Sequence, residues 1–426
     1  MIDQVMGRDD TPEAAALYAA QVATLFARSP FYRRKLSAAG FDSAAAVGGL
    51  ERIAGLPFTV KDELRASQAE APPLGAHAAI RPEEAARIYS TSGTSGAPCY
   101  IPLTRNDLED WRGIARRSYA RSGLRAGELM LTTYNAGPFV AGAALDAFDS
   151  LGVTHIPVGT GNTEKLLEAL KRLRPQTLVC TPSYAMHISE RGISPGETGL
   201  IRILVAGEPG GGEPAFRKTL EERYGARVYE VMGIGDVAAS LWGECPEQAG
   251  MHFSGDGSIH VELIDAESGK PVEMKDGAQG ELVYTHLRRE AAPLLRFRSG
   301  DHVQLWASKC NCGRASIRVR CIGRTDDMLI VRGVNVFPSA IREVVARFQP
   351  RVTGAMVVRP RRRGVRQDPP LPVVVEASHP GLADEIRDEI RATLLVSTEV
   401  RLVPPRSLPR SEYKSKLVDY SEAKGG

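Results

Sequence analysis

The sequence predicts an α/β protein: a large N-terminal domain with mainly parallel sheets and a β-rich subdomain, followed by a small α+β C-terminal domain. Three observations carry this. Between about residues 106 and 205, helical patterns alternate with the short β-rich runs "ELMLTTY", "VTHIPV", "TLVCTP" and "RILVAG". Alternation of that kind requires crossover connections and therefore parallel strands. After residue 225 the texture changes to short strands and turns, as in "GSIHVELIDAESGKPV", "GELVYTHL" and "HVQLWA". Near residue 323 it changes again, to "GRTDDMLIVRGVNVFPSAIREVV", a polar hinge followed by a strand pair and a helix. The boundary is placed at Thr325 and Asp326, giving units 1–325 and 326–426.

Before the alternating region, residues 12–40 carry helix-period apolar positions and end at Gly40, reading as two helices broken near Pro30. "LPFTVKDEL" follows, with Thr59 as the expected cap of a further short helix. At the other end, "PRRRGVRQDPPLP" reads as a basic, proline-rich hairpin tip, by default a solvated loop and otherwise a contact for a phosphate-bearing ligand.

Length and composition bound the function. A chain of 426 residues, 43% apolar and 25% charged, buries a large core. A net charge of +3 leaves no footprint for nucleic acid or an anionic membrane, which favours small-molecule partners. The first residues lack the basic-then-apolar order of a signal peptide, and no apolar run is long enough to span a bilayer. Six cysteines are too few for a disulfide scaffold, so reduced thiols and a cytoplasmic address are expected.

The stretch "YSTSGTSGAPCYIPLT", Tyr89 to Thr104, concentrates small hydroxyl residues and glycine between an apolar segment and a β-like run. Glycine lets the backbone curl so that N–H and hydroxyl groups converge on an anion such as a triphosphate. It is not a P-loop, which requires Lys after the second glycine, because here Gly96 precedes Ala97.

"TSGTSGAP" resembles the phosphate loop of the adenylate-forming (acyl-CoA synthetase) superfamily, in particular of phenylacetate-CoA ligases. The resemblance runs along nearly the whole chain, through "SPFYRRKL", "LPFTVKDEL", "GNTEKLLEAL", "VCTPSYAMHI", "VAGEP", "LLRFRSGD", "GRTDDMLIVRGVNVFPSAI" and "LPRSEYKSK". It implies that Ser92, Gly93, Thr94, Ser95 and Gly96 hold the β- and γ-phosphates of ATP, and that Glu208 and Pro209 also contact the nucleotide. Asp301 then accepts the ribose hydroxyls, Arg324 contacts the nucleotide, and Asp326 is the hinge about which a mobile C-terminal domain turns between the two steps of the reaction. Lys414 neutralises charge developing during adenylation, with Lys416 as the competing assignment. Gly333 is the backbone gap beside which the pantetheine arm of coenzyme A passes. Tyr134, Phe139, Ala206, Gly207, Met232, Gly233 and Ile234 wall an acyl pocket suited to an aryl or arylacetic acid. A homodimer is the expected assembly.

The chain also departs from the pattern. The family's Tyr-Gly-x-Ser/Thr-Glu segment, whose Glu helps hold Mg²⁺, is "MGIGD" here; Asp236 keeps a shorter carboxylate, while Met232 and Gly235 lose hydroxyls. Many members have Lys where Ala97 stands. Weaker or rearranged metal and phosphate binding is expected. Separately, Cys245, His252, Cys310 and Cys312 give three sulfurs and an imidazole on two loops, a donor set suited to tetrahedral Zn²⁺, whereas Cys99, Cys180 and Cys321 only fill space.

The implied reaction is ATP-dependent formation of an acyl-adenylate followed by thioester formation with coenzyme A. Three other readings stay open: transfer to an amine or activation of another small oxyacid, a non-catalytic nucleotide-binding relative, and an interaction module resting on the arginine run alone.

Overall fold

The computed structural model describes residues 11–91, 98–134, 142–410 and 415–423. Strands β1 (Arg87–Ser90) and β2 (Tyr100–Leu103) form an antiparallel pair. The four β-rich runs of the alternating region become β3 (Leu129–Thr132), β4 (Thr154–Pro157), β5 (Thr177–Cys180) and β6 (Arg202–Val205), joined by β7 (Arg227–Ile234). They pair in parallel in the order β4-β3-β5-β6-β7.

Every residue of β5 and β6 is buried, as a parallel strand covered on both faces requires. Strand alternation then divides the side chains. Leu178, Cys180, Ile203 and Val205 pack against Leu166, Tyr184, Phe216 and Leu220 from the helices Thr163–Leu173, Pro182–Ser189 and Pro214–Tyr224. Val179 and Leu204 face the other way, onto Tyr119 and Phe148 of the helices Arg105–Ala120 and Ala143–Ser150. Each such Leu or Phe contributes about 1.5–3 kcal/mol when fully buried.

The β-rich stretch expected after residue 225 continues the same sheet. β8 (Ala238–Glu244) reverses onto β7, and β9 (Met251–Phe253), β10 (Ile259–Ile264), β11 (Gln279–His286), β12 (Phe297–Trp306) and β13 (Arg318–Arg324) extend one continuous eleven-stranded sheet. The reversal depends on Gly233, where a Cβ would lie 1.9 Å from the carbonyl oxygen of Ala239. The helices Pro12–Arg28 and Pro30–Ala38 are divided at Ser29, whose hydroxyl accepts from the Tyr32 amide. Thr59 does not cap the next helix. Its hydroxyl donates to the Leu295 carbonyl at 2.7 Å, and the helix Lys61–Glu70 is closed instead by Glu63, whose carboxylate accepts from the Val60 amide at 2.9 Å.

From Leu329 onward two small sheets and two helices share a core of their own, which includes Leu329, Ile341, Val345, Val373, Val375 and Ile386. β14 (Leu329–Val331) and β15 (Val334–Val336) form a hairpin; β16 (Val352–Val358), β18 (Leu371–Ala377) and β19 (Thr398–Val403) form a sheet. The short β17 (Arg366–Gln367), within the arginine-rich loop between β16 and β18, pairs in parallel with β14. The helices Pro338–Ala346 and Ala383–Leu394 complete the unit.

Candidate active site

The carboxyl ends of β3, β5, β6 and β7 lie side by side, the place where open α/β sheets bind ligands. Tyr134 stands just beyond β3, buried and stacked at 6.5 Å from Phe148. Ala206 follows β6 and its amide donates to the Cys180 carbonyl at 3.1 Å; Gly207, with φ of +98°, turns the chain into Glu208 and Pro209. Met232, Gly233 and Ile234 end β7. Phe139, Ser92 to Gly96 and Lys414 lie outside the described residues.

Asp236 occupies the β7–β8 turn, buried, with one carboxylate oxygen 2.7 Å from Lys61 Nζ and the other, Oδ1, buried without a hydrogen-bond partner among the described residues. A buried carboxylate oxygen left bare in this way fits a magnesium ligand, since such groups are otherwise costly. The next residue is pinned from three sides. The Val237 carbonyl accepts from Trp111 Nε1 at 3.0 Å, His286 Nε2 at 3.1 Å and Arg289 Nη2 at 2.8 Å. Three donors on one carbonyl fix the backbone that carries Asp236.

At the junction with the C-terminal unit, Asp301 and Arg324 face each other across the β12–β13 ladder, 3.1 Å apart, and Arg324 also binds Asp326 at 2.8 Å. Burial raises the Asp301 pKa and the Arg324 guanidinium opposes that rise. Gly333 lies in the β14–β15 turn at φ of +82° next to Arg332 at +51°; a Cβ there would meet nothing within 4 Å, so backbone conformation and not space calls for glycine.

The C-terminal tail returns to the strand ends through Glu208. Its Oε1 accepts from the Ser183 amide at 2.8 Å, and its Oε2 accepts from the amide and hydroxyl of Ser415 at 2.8 and 3.1 Å. Ser415 is the residue directly after Lys414. Lys416 is exposed.

Cys245, His252, Cys310 and Cys312 come together with all donor atoms within 4.8 Å of one another. A tetrahedral ion with metal–sulfur bonds of about 2.3 Å and a metal–nitrogen bond of about 2.05 Å needs S···S of about 3.8 Å and S···N of about 3.6 Å. Cys245 Sγ lies 3.8 Å from Cys310 Sγ, and Cys312 Sγ lies 3.4 Å from His252 Nε2. Ser316 Oγ, 2.9 Å from Nδ1, fixes the His252 ring, as metal-ligating histidines commonly require. Burial, then the charges of Arg121, Arg314 and Arg318, push its pKa down to about 3, so the imidazole is neutral. The residues fit a metal.

A groove of about 1020 Å³, bordered by Arg28, Glu84, Arg105 and Arg288, contains none of the site residues assigned from sequence. We place the chemistry at the strand ends, where the convergent polar groups are.

Residues 333–420 match the AMP-binding enzyme C-terminal domain. Over 418 residues the chain is 37% identical to a phenylacetate-coenzyme A ligase of Thermus thermophilus, covering 92% of each sequence. The chain belongs to the phenylacetate-CoA ligase family. As a member of that family it is an AMP-forming acid–thiol ligase. Among solved structures it is similar to 2-hydroxyisobutyryl-CoA ligase in the postadenylation state, at 26% identity and a TM-score of 0.86, covering 96% of this chain and 90% of that one. Against the same protein in the thioesterification state the score is 0.69, at 27% identity, covering 97% and 91%.

Sequence reasoning missed Lys61, Trp111, His286 and Arg289 in this phenylacetate-CoA ligase family member. A signal existed for Lys61: it opens a helix, where the macrodipole favours acids, so a lysine there asks for a partner elsewhere. The other three act on a backbone carbonyl, which no side-chain motif encodes.

Proposed function

We propose that this chain activates an aryl or arylacetic acid with ATP and passes the acyl group to coenzyme A. A carboxylate oxygen attacks the α-phosphorus and pyrophosphate leaves; the thiol then attacks the acyl carbonyl and AMP leaves. Ser92 to Gly96 hold the β- and γ-phosphates, Asp301 the ribose hydroxyls, and Arg324 the nucleotide at the junction. Lys414 offsets charge on the oxygens between acid and phosphate, which in a closed, low-dielectric site is worth several kcal/mol. Asp236 would hold Mg²⁺, which when bound neutralises phosphate charge. Lys61 Nζ, 2.7 Å from the Asp236 carboxylate, orients it. The C-terminal unit turns about Asp326 between the steps, and Gly333 lies on the path of the pantetheine arm.

The observation that carries this reading is the docking of Ser415 on Glu208, which brings the segment next to Lys414 to the end of β6. Tyr134 and the phenylacetate named for the relative support an aromatic acid. The test is a pyrophosphate-exchange panel of aryl and arylacetic acids, followed by product analysis. Exchange is expected with arylacetic acids, and net AMP release only with CoA present; AMP release independent of CoA contradicts the thiol assignment.

The same reading makes the Cys/His cluster a structural Zn²⁺ site. It sits at the end of β8 remote from Asp236, about 20 Å along a seven-residue strand. One zinc per chain is expected by elemental analysis. Cys310→Ser is expected to lower Tm by several degrees and to leave the KM for ATP unchanged; a zinc-free protein with wild-type Tm refutes the site. None of the six cysteines is in a disulfide, and among the described residues no helix is long and apolar enough to cross a membrane. We read the address as cytoplasmic and the assembly as a homodimer.

A further inference from the structure

The chain is held on both sides of residues 411–414. Ahead of them, the Arg410 guanidinium donates to both carboxylate oxygens of Glu376, buried on β18, at 2.9 and 2.8 Å. It also donates to both oxygens of Glu190, at the end of the helix Pro182–Ser189, at 3.0 and 3.1 Å. Glu376 is fixed in turn by the Leu408 amide at 2.7 Å and the Thr353 hydroxyl at 2.9 Å. Arg410 therefore ties this flank to both units.

On the other flank, Ser415 meets Glu208 of the N-terminal unit, and the residues after it run onto the C-terminal unit. β16 is an edge strand of the sheet β16-β18-β19. Its outer edge is taken by Leu417 to Asp419. The Val358 amide donates to the Leu417 carbonyl at 2.8 Å, the Asp419 amide donates to the Val358 carbonyl at 2.9 Å, and Val358 pairs in parallel with Val418. Side chains repeat the contact: Arg359 lies 3.2 Å from Asp419 and 2.5 Å from Glu422, and Asp419 also accepts from the Ser421 amide at 2.9 Å. Partly exposed ion pairs of this kind add little to stability. Their value is in placement, because fixing both flanks limits where a residue between them can lie, and a misplacement of about 1 Å at a reacting group can cost about 10²-fold in rate.

We propose that the segment Leu417 to Asp419 is a positioning strand for Lys414. Registered on β16, it makes the lysine travel with the C-terminal unit and brings Ser415 to Glu208 only when that unit is docked. Asp419 and Arg359 are positioning residues that act through the strand. The proposal rests on Lys414 being the lysine that serves adenylation.

Two variants test it: a chain ended after Lys416, and Asp419→Pro, which removes both the amide that donates to Val358 and the carboxylate beside Arg359. In both, acyl-adenylate formation followed in a single turnover is expected to slow at least about tenfold. The Kd for ATP, thioester formation from supplied acyl-adenylate, and Tm are expected to stay close to wild type. Lys414→Ala is measured alongside. Wild-type adenylation in both strand variants, with Lys414→Ala slow, overturns the proposal and leaves the lysine assignment in place. Equal slowing of the two half-reactions, or a large fall in Tm, gives the segment a structural role and also overturns it. Wild-type adenylation in Lys414→Ala instead removes the reading on which the proposal rests.

Discussion

Lys414→Ala is expected to lower acid-dependent pyrophosphate exchange by about 10²–10³-fold while ATP still binds. The size follows from the cost of removing one preorganised charge-stabilising group from a closed site. The effect belongs in the rate of exchange and not in nucleotide affinity, because the charge to be offset develops only as the carboxylate meets the α-phosphorus. The amide of Ser415 is tied to Glu208 at 2.8 Å, while Lys416 is exposed. Lys416→Ala is therefore expected to exchange at close to the wild-type rate. Exchange unchanged in Lys414→Ala and lost in Lys416→Ala would reverse the assignment.

The parallel half of the sheet was legible because its strands are short, mainly apolar runs separated by helices, and β5 and β6 are buried along their whole length, as strands covered on both faces are. β12, by contrast, alternates buried and half-buried positions along its whole length, the sign of an antiparallel strand with one covered face. What periodicity does not carry is whether two textures share one sheet. That depends on the β7–β8 reversal, and so on a single glycine whose Cβ would meet the Ala239 carbonyl. Thr59 misled for a related reason: a hydroxyl before an acidic segment reads as a cap, but a carbonyl 236 positions away in the chain claims it.

Of the residues singled out in the sequence by their own side chains, the fold sets Asp301 against Arg324 and gathers the four Cys/His donors. Lys61 meets Asp236 across 175 positions, and Arg289 meets Val237 across 52. Long-range pairs of that kind have no local signature. The shortened "MGIGD" carboxylate looks like a loss in sequence, but in the fold a lysine from another element holds it.

The second large effect is expected from Glu213→Gln. Arg342, on the helix Pro338–Ala346 of the C-terminal unit, reaches the loop after β6 and pairs with Glu213 at 2.6 and 3.0 Å. It also donates to the Pro209 carbonyl, and its guanidinium lies 5.0 Å from the Phe216 ring. Both partners are nearly excluded from water, with side-chain exposures of 4% and 10%. Arg410 adds a second bridge to Glu190 at 3.0 Å, and the Ala215 amide a third to Glu343 at 3.1 Å. The proposed rotation must break all three. Removing one partner of a buried ion pair costs about 3–5 kcal/mol, and every 1.4 kcal/mol is about tenfold. In the proposed rotation the C-terminal unit turns away, so that cost would fall on the docked arrangement alone. Acyl-adenylate formation, followed in a single turnover, is expected to slow at least tenfold in Glu213→Gln, while thioester formation from supplied acyl-adenylate does not slow. The pair Glu213→Leu, Arg342→Met, which removes both charges together, is expected to recover much of the loss, since an apolar pair can replace a buried ion pair. Equal slowing of both half-reactions, or of neither, would mean that this ion pair does not set the orientation in which the acid is adenylated.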